Sequence, residues 1–304
     1  MRNIDFTTTS SAEGLSEAGK GLNHEIKDDS GNKIPNPKYE AFHAHEEDLK
    51  TAYQSYDTHT QPCKLHEITP MPLSEYNRGG LKELYGRQRP FLKELWDEVA
   101  YENGEYILCP LCGQKIVADL DHYIPRSLMP EYSVHLLNLI PTCHECNDDK
   151  GDLWLDAEGK RIIFNAYFDK LADMSALLKS QIVIDTDTDH PRIVVTLDDN
   201  AIMAAGNVGQ LVKSTYKNIE SIREQWRVKA TTVLKTQIRQ IQSTVKVRKA
   251  HGNYEEGIWD FEKETIRETI SELKPYEFIE KVVYENMLDS VEFNNWIIGK
   301  LSSL

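Results

Sequence analysis

The sequence predicts an α+β fold. A mainly helical chain surrounds a small zinc-stapled unit of two strands and a helix, and a β-hairpin follows it. Three observations carry this expectation. Four of the five cysteines form two Cys-x-x-Cys pairs, Cys109/Cys112 and Cys143/Cys146. The run Gln210 to His251 has no Pro or Gly, and its apolar residues recur at helical spacing, among them Leu211, Ile219, Ile222, Trp226, Ile238 and Ile241. Two Val/Ile-rich runs, Gln181–Asp185 and Arg192–Leu197, flank a polar turn at Asp187–Pro191, the pattern of a hairpin.

Taken in order, residues 1–75 are polar, with turn signals at Asp28–Asn32 and Pro35–Pro37 and one helix over Tyr39–Tyr53. They read as an N-terminal arm that orders against a partner or substrate. Residues 76–170 form the next unit. A helical pattern runs from Leu81 through Trp96 to Tyr101, with Pro90 in the first turn of its second part. Lys115–Tyr123 reads as a strand that Pro125 ends, because proline cannot continue the ladder. Asp121 and His122 sit at its exit on opposite faces. A second strand follows at Asn138–Thr142. A helix then begins near Cys143 and carries Asn147 and Lys150. Arg161–Phe168 reads as a strand or a buried extended segment. Residues 171–304 form a mostly helical domain. Its last fifty or so residues are acidic and aromatic, suiting packing or protein docking more than a nucleic-acid surface. There is no internal repeat and no phosphate-binding loop signature.

Two Cys-x-x-Cys knuckles have the spacing of a closed, structural four-cysteine zinc site. The competing reading is two disulfides. The N-terminus MRNIDFTTTSS lacks an apolar signal region, and no apolar run is long enough to span a membrane. A cytoplasmic chain with reduced thiols is therefore expected, and this favours metal. Cys63 stands apart and reads as an ordinary free thiol. His144 lies inside the second knuckle, but four cysteines already complete a site. His135 is expected to face solvent or the loop.

A formal charge of −14 over 304 residues is unfavourable for binding a polyanion. One stretch departs from it. Ten basic residues between Val212 and Ala250 face only Glu220 and Glu224. Two readings stand: a cationic helix that tracks a phosphate backbone, or a core-packing helix whose cations pair with acids elsewhere.

The segment Asp-His-Tyr-Ile-Pro, followed by Asn-Leu-Ile-Pro-Thr-Cys-x-x-Cys-Asn-x-x-Lys, resembles the HNH endonucleases, over about 45 residues. The resemblance implies a ββα-metal core with His122, Asn138 and Asn147 in the three signature positions, the third being Asn instead of His. A leading helix would pack on it through Phe91, Leu95 and Val99. It implies metal-dependent hydrolysis of phosphodiester bonds in DNA, tRNA or other RNA. His122 would be the general base, with a reference pKa suited to neutral pH. Asp121 and Asn147 would hold a divalent cation, Mg2+ or Mn2+, since hard oxygen donors suit these ions. Asn138 would position the loop bearing the base, and Arg126 and Lys150 would contact phosphate. The wording of the motif, with Phe168-Asp169 after it, is similar to HNH subunits of Septu-type and retron-associated anti-phage systems. That implies an ABC-type ATPase partner. From a different class, the same scaffold could serve as a zinc-stabilised docking module that regulates a partner without cutting.

Overall fold

The computed structural model describes residues 1–61, 63–86, 89–252 and 257–304. Helices dominate, with two-stranded antiparallel sheets between them, and the four paired cysteines cluster at one point.

Residues 1–75 are folded against the rest of the chain, a correction to the polar arm. Helix α1 (Ser11–Gly19) starts on a capping box: Ser10 Oγ accepts from Glu13 N, and the Glu13 carboxylate accepts from Ser10 N. An exposed hairpin, β1 (Glu25–Lys27) and β2 (Lys33–Pro35), follows. The single helix read over Tyr39–Tyr53 is two, α2 (Pro37–Ala44) and α3 (Glu46–Thr60), parted at His45. Helix α3 buries Leu49, Ala52, Tyr53, Tyr56 and Thr60. These positions share one helical face, so a polar average concealed a narrow apolar stripe.

Helix α4 (Glu75–Lys82) and helix α5 (Pro90–Val99) lead into the cysteine unit. They divide the helical run read over Leu81–Tyr101, in which positions 87 and 88 lie outside the described residues. Helix α5 buries Phe91, Leu92, Leu95 and Val99. A short ribbon, β3 (Tyr101–Glu102) and β4 (Glu105–Tyr106), precedes the first knuckle. Strand β5 (Asp119–His122) pairs with β6 (Leu139–Thr142), with Asp121 opposite Ile140 and His122 opposite Leu139. The strand read over Lys115–Tyr123 is thus shorter at its start, where Ile116 bridges Leu108 and closes the knuckle instead. Helix α6 (His144–Lys150) completes the strand–strand–helix unit. Residues 161–168 form no ladder beyond one bridge between Leu155 and Arg161. The segment is buried, with Ile163, Phe164, Ala166 and Tyr167 in the core, but it is not extended throughout: residues 166–168 form a turn that Asp169 N closes on Asn165 O at 3.0 Å.

The C-terminal part opens with a hairpin, β7 (Leu178–Asp185) and β8 (His190–Leu197), in register Ile182 with Ile193. It continues through α7 (Asp199–Ala204), α8 (Gly206–Asn218), α9 (Glu220–Ala250), α10 (Ile258–Glu272), α11 (Phe278–Asp289) and α12 (Val291–Ser302). Positions 253–256, read as part of the helical region, lie outside the described residues. Asn286 on α11 caps the open edge of β7, accepting from Ile182 N at 3.0 Å and donating to Ser180 O at 2.9 Å. The unbroken helix expected over Gln210–His251 is interrupted at Ile219, which is extended (φ −104°, ψ 105°). Tertiary bonds outweigh helix propensity there: Arg223 caps the carbonyls of Tyr216 and Lys217 at 2.6 Å, and Ser221 N donates to Asp149 on α6 at 2.6 Å. Among the described residues no helix is long and apolar enough to cross a membrane.

Candidate functional site

The four paired cysteines bring the unit's two ends together. Cys109, Cys112, Cys143 and Cys146 are buried, and their Sγ atoms all lie within 4.8 Å of one another. None is in a disulfide. Cys112 and Cys143 stand 3.9 Å apart at sulfur. Four thiolates bound at ~2.3 Å around a tetrahedral ion stand about 3.8 Å apart, whereas a disulfide needs about 2.05 Å. The cluster can therefore hold a metal such as zinc. Gly113 turns the first knuckle at φ +69°. His144 is not a fifth ligand: its Nδ1 pairs with Asp119 at 2.9 Å and its Nε2 with Asp148 at 3.3 Å.

Asn138 is wholly buried and uses every hydrogen-bonding position it has. Its Oδ1 accepts from Ile124 N at 2.8 Å and from the Tyr56 hydroxyl at 3.2 Å. Its Nδ2 donates to Ile124 O and Tyr132 O, both at 3.1 Å. Two acceptor and two donor sites are filled, which is an amide's full capacity. The side chain thereby ties the exit of β5 to the loop opposite it.

His122 sits on that exit. Its Nε2 is 2.8 Å from Ser133 O. A carbonyl can only accept, so Nε2 carries the proton and Nδ1 is left as the ring's acceptor. Burial pushes its pKa down to about 3, well below the near-neutral value expected from the sequence, so the ring is neutral. The Tyr85 ring meets it edge-on at 4.5 Å between centroids. Ser133 is fixed in turn by donating from Oγ to Leu81 O at 2.6 Å.

Asp121 and Lys150 form a buried ion pair, Nζ to Oδ1 3.1 Å. Lys150 also donates to His122 O at 2.7 Å. Burial raises the Asp121 carboxyl above its ordinary range, and the Lys150 charge opposes that shift. Lys150 is 1% exposed, so the phosphate-contacting role read from sequence is corrected: its stem crosses the core, and its ammonium is spent on Asp121. Asn147 does not meet Asp121. Its Nδ2 is 3.3 Å from Asp119 Oδ2. Asp119 lies two residues before Asp121 on the same face of β5 and is also buried. The two-residue alternation of a strand was the signal that could have found it. Arg126 is half-buried, its guanidinium 5.4 Å from the Tyr85 ring centre.

His135 corrects another expectation. It is fully buried, its ring 4.1 Å from Tyr56 and 4.4 Å from Tyr53 by centroids, with Asp57 3.3 Å from Nε2. Cys63 donates its thiol to Asp169 at 2.9 Å, and burial followed by the Asp169 charge pushes its pKa up to about 12. Asp169 is held by Arg161 at 2.8 Å and 3.0 Å.

No family model and no solved structure matches the chain. Over an alignment of 111 residues that covers 34% of the chain, the sequence is 30% identical to Protein ea31 of Escherichia phage lambda. The match spans 36% of that protein's length.

Proposed function

We propose that the chain is a metal-dependent endonuclease of the HNH type that hydrolyses phosphodiester bonds of nucleic acid. The observation that carries the reading is the fully satisfied, buried Asn138 clamp beside a neutral His122 whose Nε2 is already committed to Ser133 O. Such an arrangement fixes one ring nitrogen as a base and holds it still. Two buried carboxylates and an amide nearby, Asp119, Asp121 and Asn147, are oxygen donors suited to a hard cation.

In this reading the His122 Nδ1 takes the proton of the attacking water. Asp121 and Asn147 would hold Mg2+ or Mn2+, with Asn147 turning its amide over from Asp119 to offer oxygen. When bound, such an ion neutralises charge on the scissile phosphate and stabilises the leaving 3′ oxygen. Lys150 holds the Asp121 carboxylate and the His122 carbonyl in place. The cysteine cluster, as a zinc site, holds α6 and its Asn147 against β5. The resemblance of the motif to HNH subunits of anti-phage systems adds an ABC-type ATPase as the partner that restrains cutting, and co-purification tests it.

Plasmid DNA and total tRNA, incubated with purified protein and Mg2+ or Mn2+, test the activity. The expected result is cleavage of one of them, reduced by about 10²–10⁴-fold in His122→Ala, with metal content and fold retained. Cleavage by His122→Ala at the wild-type rate overturns the mechanism. The buried Lys150–Asp121 pair favours one other reading, a zinc-stabilised docking module in which the site is structural. That reading gains if neither nucleic acid is cut even with the partner ATPase present.

A further inference from the structure

We infer that the exposed face of α9 carrying Lys235, Arg239 and Lys246 is a nucleic-acid phosphate-binding track. The inference rests on the nuclease reading and deepens it by assigning the substrate-gripping surface.

The structure sorts the cations of this region into two groups. Several are committed within the chain. Lys213 pairs with Asp199 at 2.8 Å, Arg227 with Glu224 at 2.6 Å and Lys229 with Glu280. Arg223 caps the end of α8, and Arg248 lies over the Phe261 ring at 4.4 Å. Lys235, Arg239 and Lys246 are different. All three are exposed, and none has an acid or ring partner among the described residues. In a chain with 49 acidic and 35 basic residues, three neighbouring cations left unmatched run against the overall balance.

Their placement is regular. At 3.6 residues per turn the three side chains fall within about 40° of one another around the helix, and at 1.5 Å per residue they span about 16 Å along it. Trp226, Val233, Ile238, Ile241 and Val245 are buried on the remainder of the helix. From Gln225 to Gly252 the sequence has no Asp or Glu, so the track carries no repulsion for phosphate. Gln242 lies between the cations on this face, and no aromatic or Met side chain does. A protein-docking face would be enriched in aromatic and Met anchors. A polar, cationic stripe without them suits a phosphate backbone. The track is tied to the candidate catalytic unit through its own helix: the first turn of α9 bonds Asp149, and Trp226 Nε1 donates to Cys112 O at 2.9 Å. A duplex gripped on α9 is therefore held by the same rigid element that docks on the metal cluster.

The test uses the full chain carrying His122→Ala, so that binding is read without cleavage. Fluorescence anisotropy follows association with a DNA duplex and an RNA duplex of about 30 base pairs, more than twice what α9 can span at 3.4 Å per pair. In the triple variant Lys235→Gln, Arg239→Gln, Lys246→Gln, binding should weaken by roughly tenfold or more, and the slope of log K against log salt should fall by about 2.7 for duplex DNA. Circular dichroism should be unchanged, because all three side chains are solvent-exposed. Lys213→Gln, whose charge Asp199 already matches, should leave the slope as it is. An unchanged slope and affinity in the triple variant overturns the assignment and leaves an acidic protein as the occupant of this face. An equal loss in Lys213→Gln also overturns it, since the effect would then be net charge. Loss of cleavage in the His122→Ala chain is a separate readout, so the nuclease reading can fail while the track stands.

Discussion

At the scale of single residues, the Asn138 clamp and the proposed base, His122, divide one task. His122 needs its ring fixed relative to the backbone of β5, and nothing on β5 alone can do that. The holding comes from three other places: Ser133 O on the ring, Tyr85 beside it, and Asn138 across the strand exit. Replacing Asn138 with Ala strands Ile124 N and Ile124 O in a buried setting and leaves Tyr132 O with His135 N as its remaining donor. Each orphaned group costs about 1–3 kcal/mol, so the variant should melt well below the wild type. Where it still folds, cleavage should drop by roughly 10²-fold through misplacement of the base. Tyr56→Phe removes only one of the four bonds and should cost about 1 kcal/mol, with cleavage nearly intact. Thermal melts and cleavage rates of the pair measure this. If Asn138→Ala matched Tyr56→Phe in both, the clamp would carry no positioning role. Much of this was legible in the chain. Asp121, His122 and Asn138 are placed together by the order of the motif, because short strands and a tight loop leave few ways to arrange them. Tyr56, Ser133 and Tyr85 were not legible, because they act by long-range bonds for which local sequence has no pattern.

Elements explain why the cysteine unit sits where it does. The knuckle at Cys109–Gly113 is a turn against which two distant helices pack. Trp226 of α9 donates to the Cys112 carbonyl, and Phe278 of α11 lies over Gly113. A Cβ at Gly113 would stand 2.5 Å from the Phe278 ring, at a backbone φ of +69° that side chains rarely adopt. Gly113→Ala should therefore lose about 1–3 kcal/mol from backbone strain and more from the clash. The double change Gly113→Ala, Phe278→Leu should recover the steric part alone, a partial rescue visible in denaturant melts. Full rescue would show that φ is not strained, and none would show that the ring is not the obstacle. The same scale explains which helices the sequence revealed. Helix α5 and most of α9 carry regular apolar stripes and are recognisable from them. The break at Ile219 and the apolar stripe of α3 are not. One is imposed by Asp149 on a neighbouring helix, and the other is hidden by the polar residues around it.

For the molecule as a whole, the cysteine cluster is the point where separate stretches of the chain converge. Arg2 N donates to Pro110 O at 2.9 Å, and Ser221 Oγ lies 3.5 Å from Cys146 Sγ. The N-terminal residues around Arg2, α9 and α11 therefore all bear on the geometry of two short knuckles. Zinc bound by four thiolates contributes folding free energy directly, because the unfolded chain offers no preformed site. Removing it should then reach beyond the knuckles. Hydrogen exchange of the chelator-treated protein should show lost protection in residues 109–117 and 139–150, and also in the first two turns of α9 and the start of α11, which are anchored by Trp226 and Phe278. The β7–β8 hairpin, braced by Asn286, should keep its protection. Cys109→Ser should reproduce the same map without chelator and should lower the melting temperature, unlike His122→Ala. Loss confined to the two knuckles would mean that α9 and α11 hold the unit in place, and that the metal serves only its own loop.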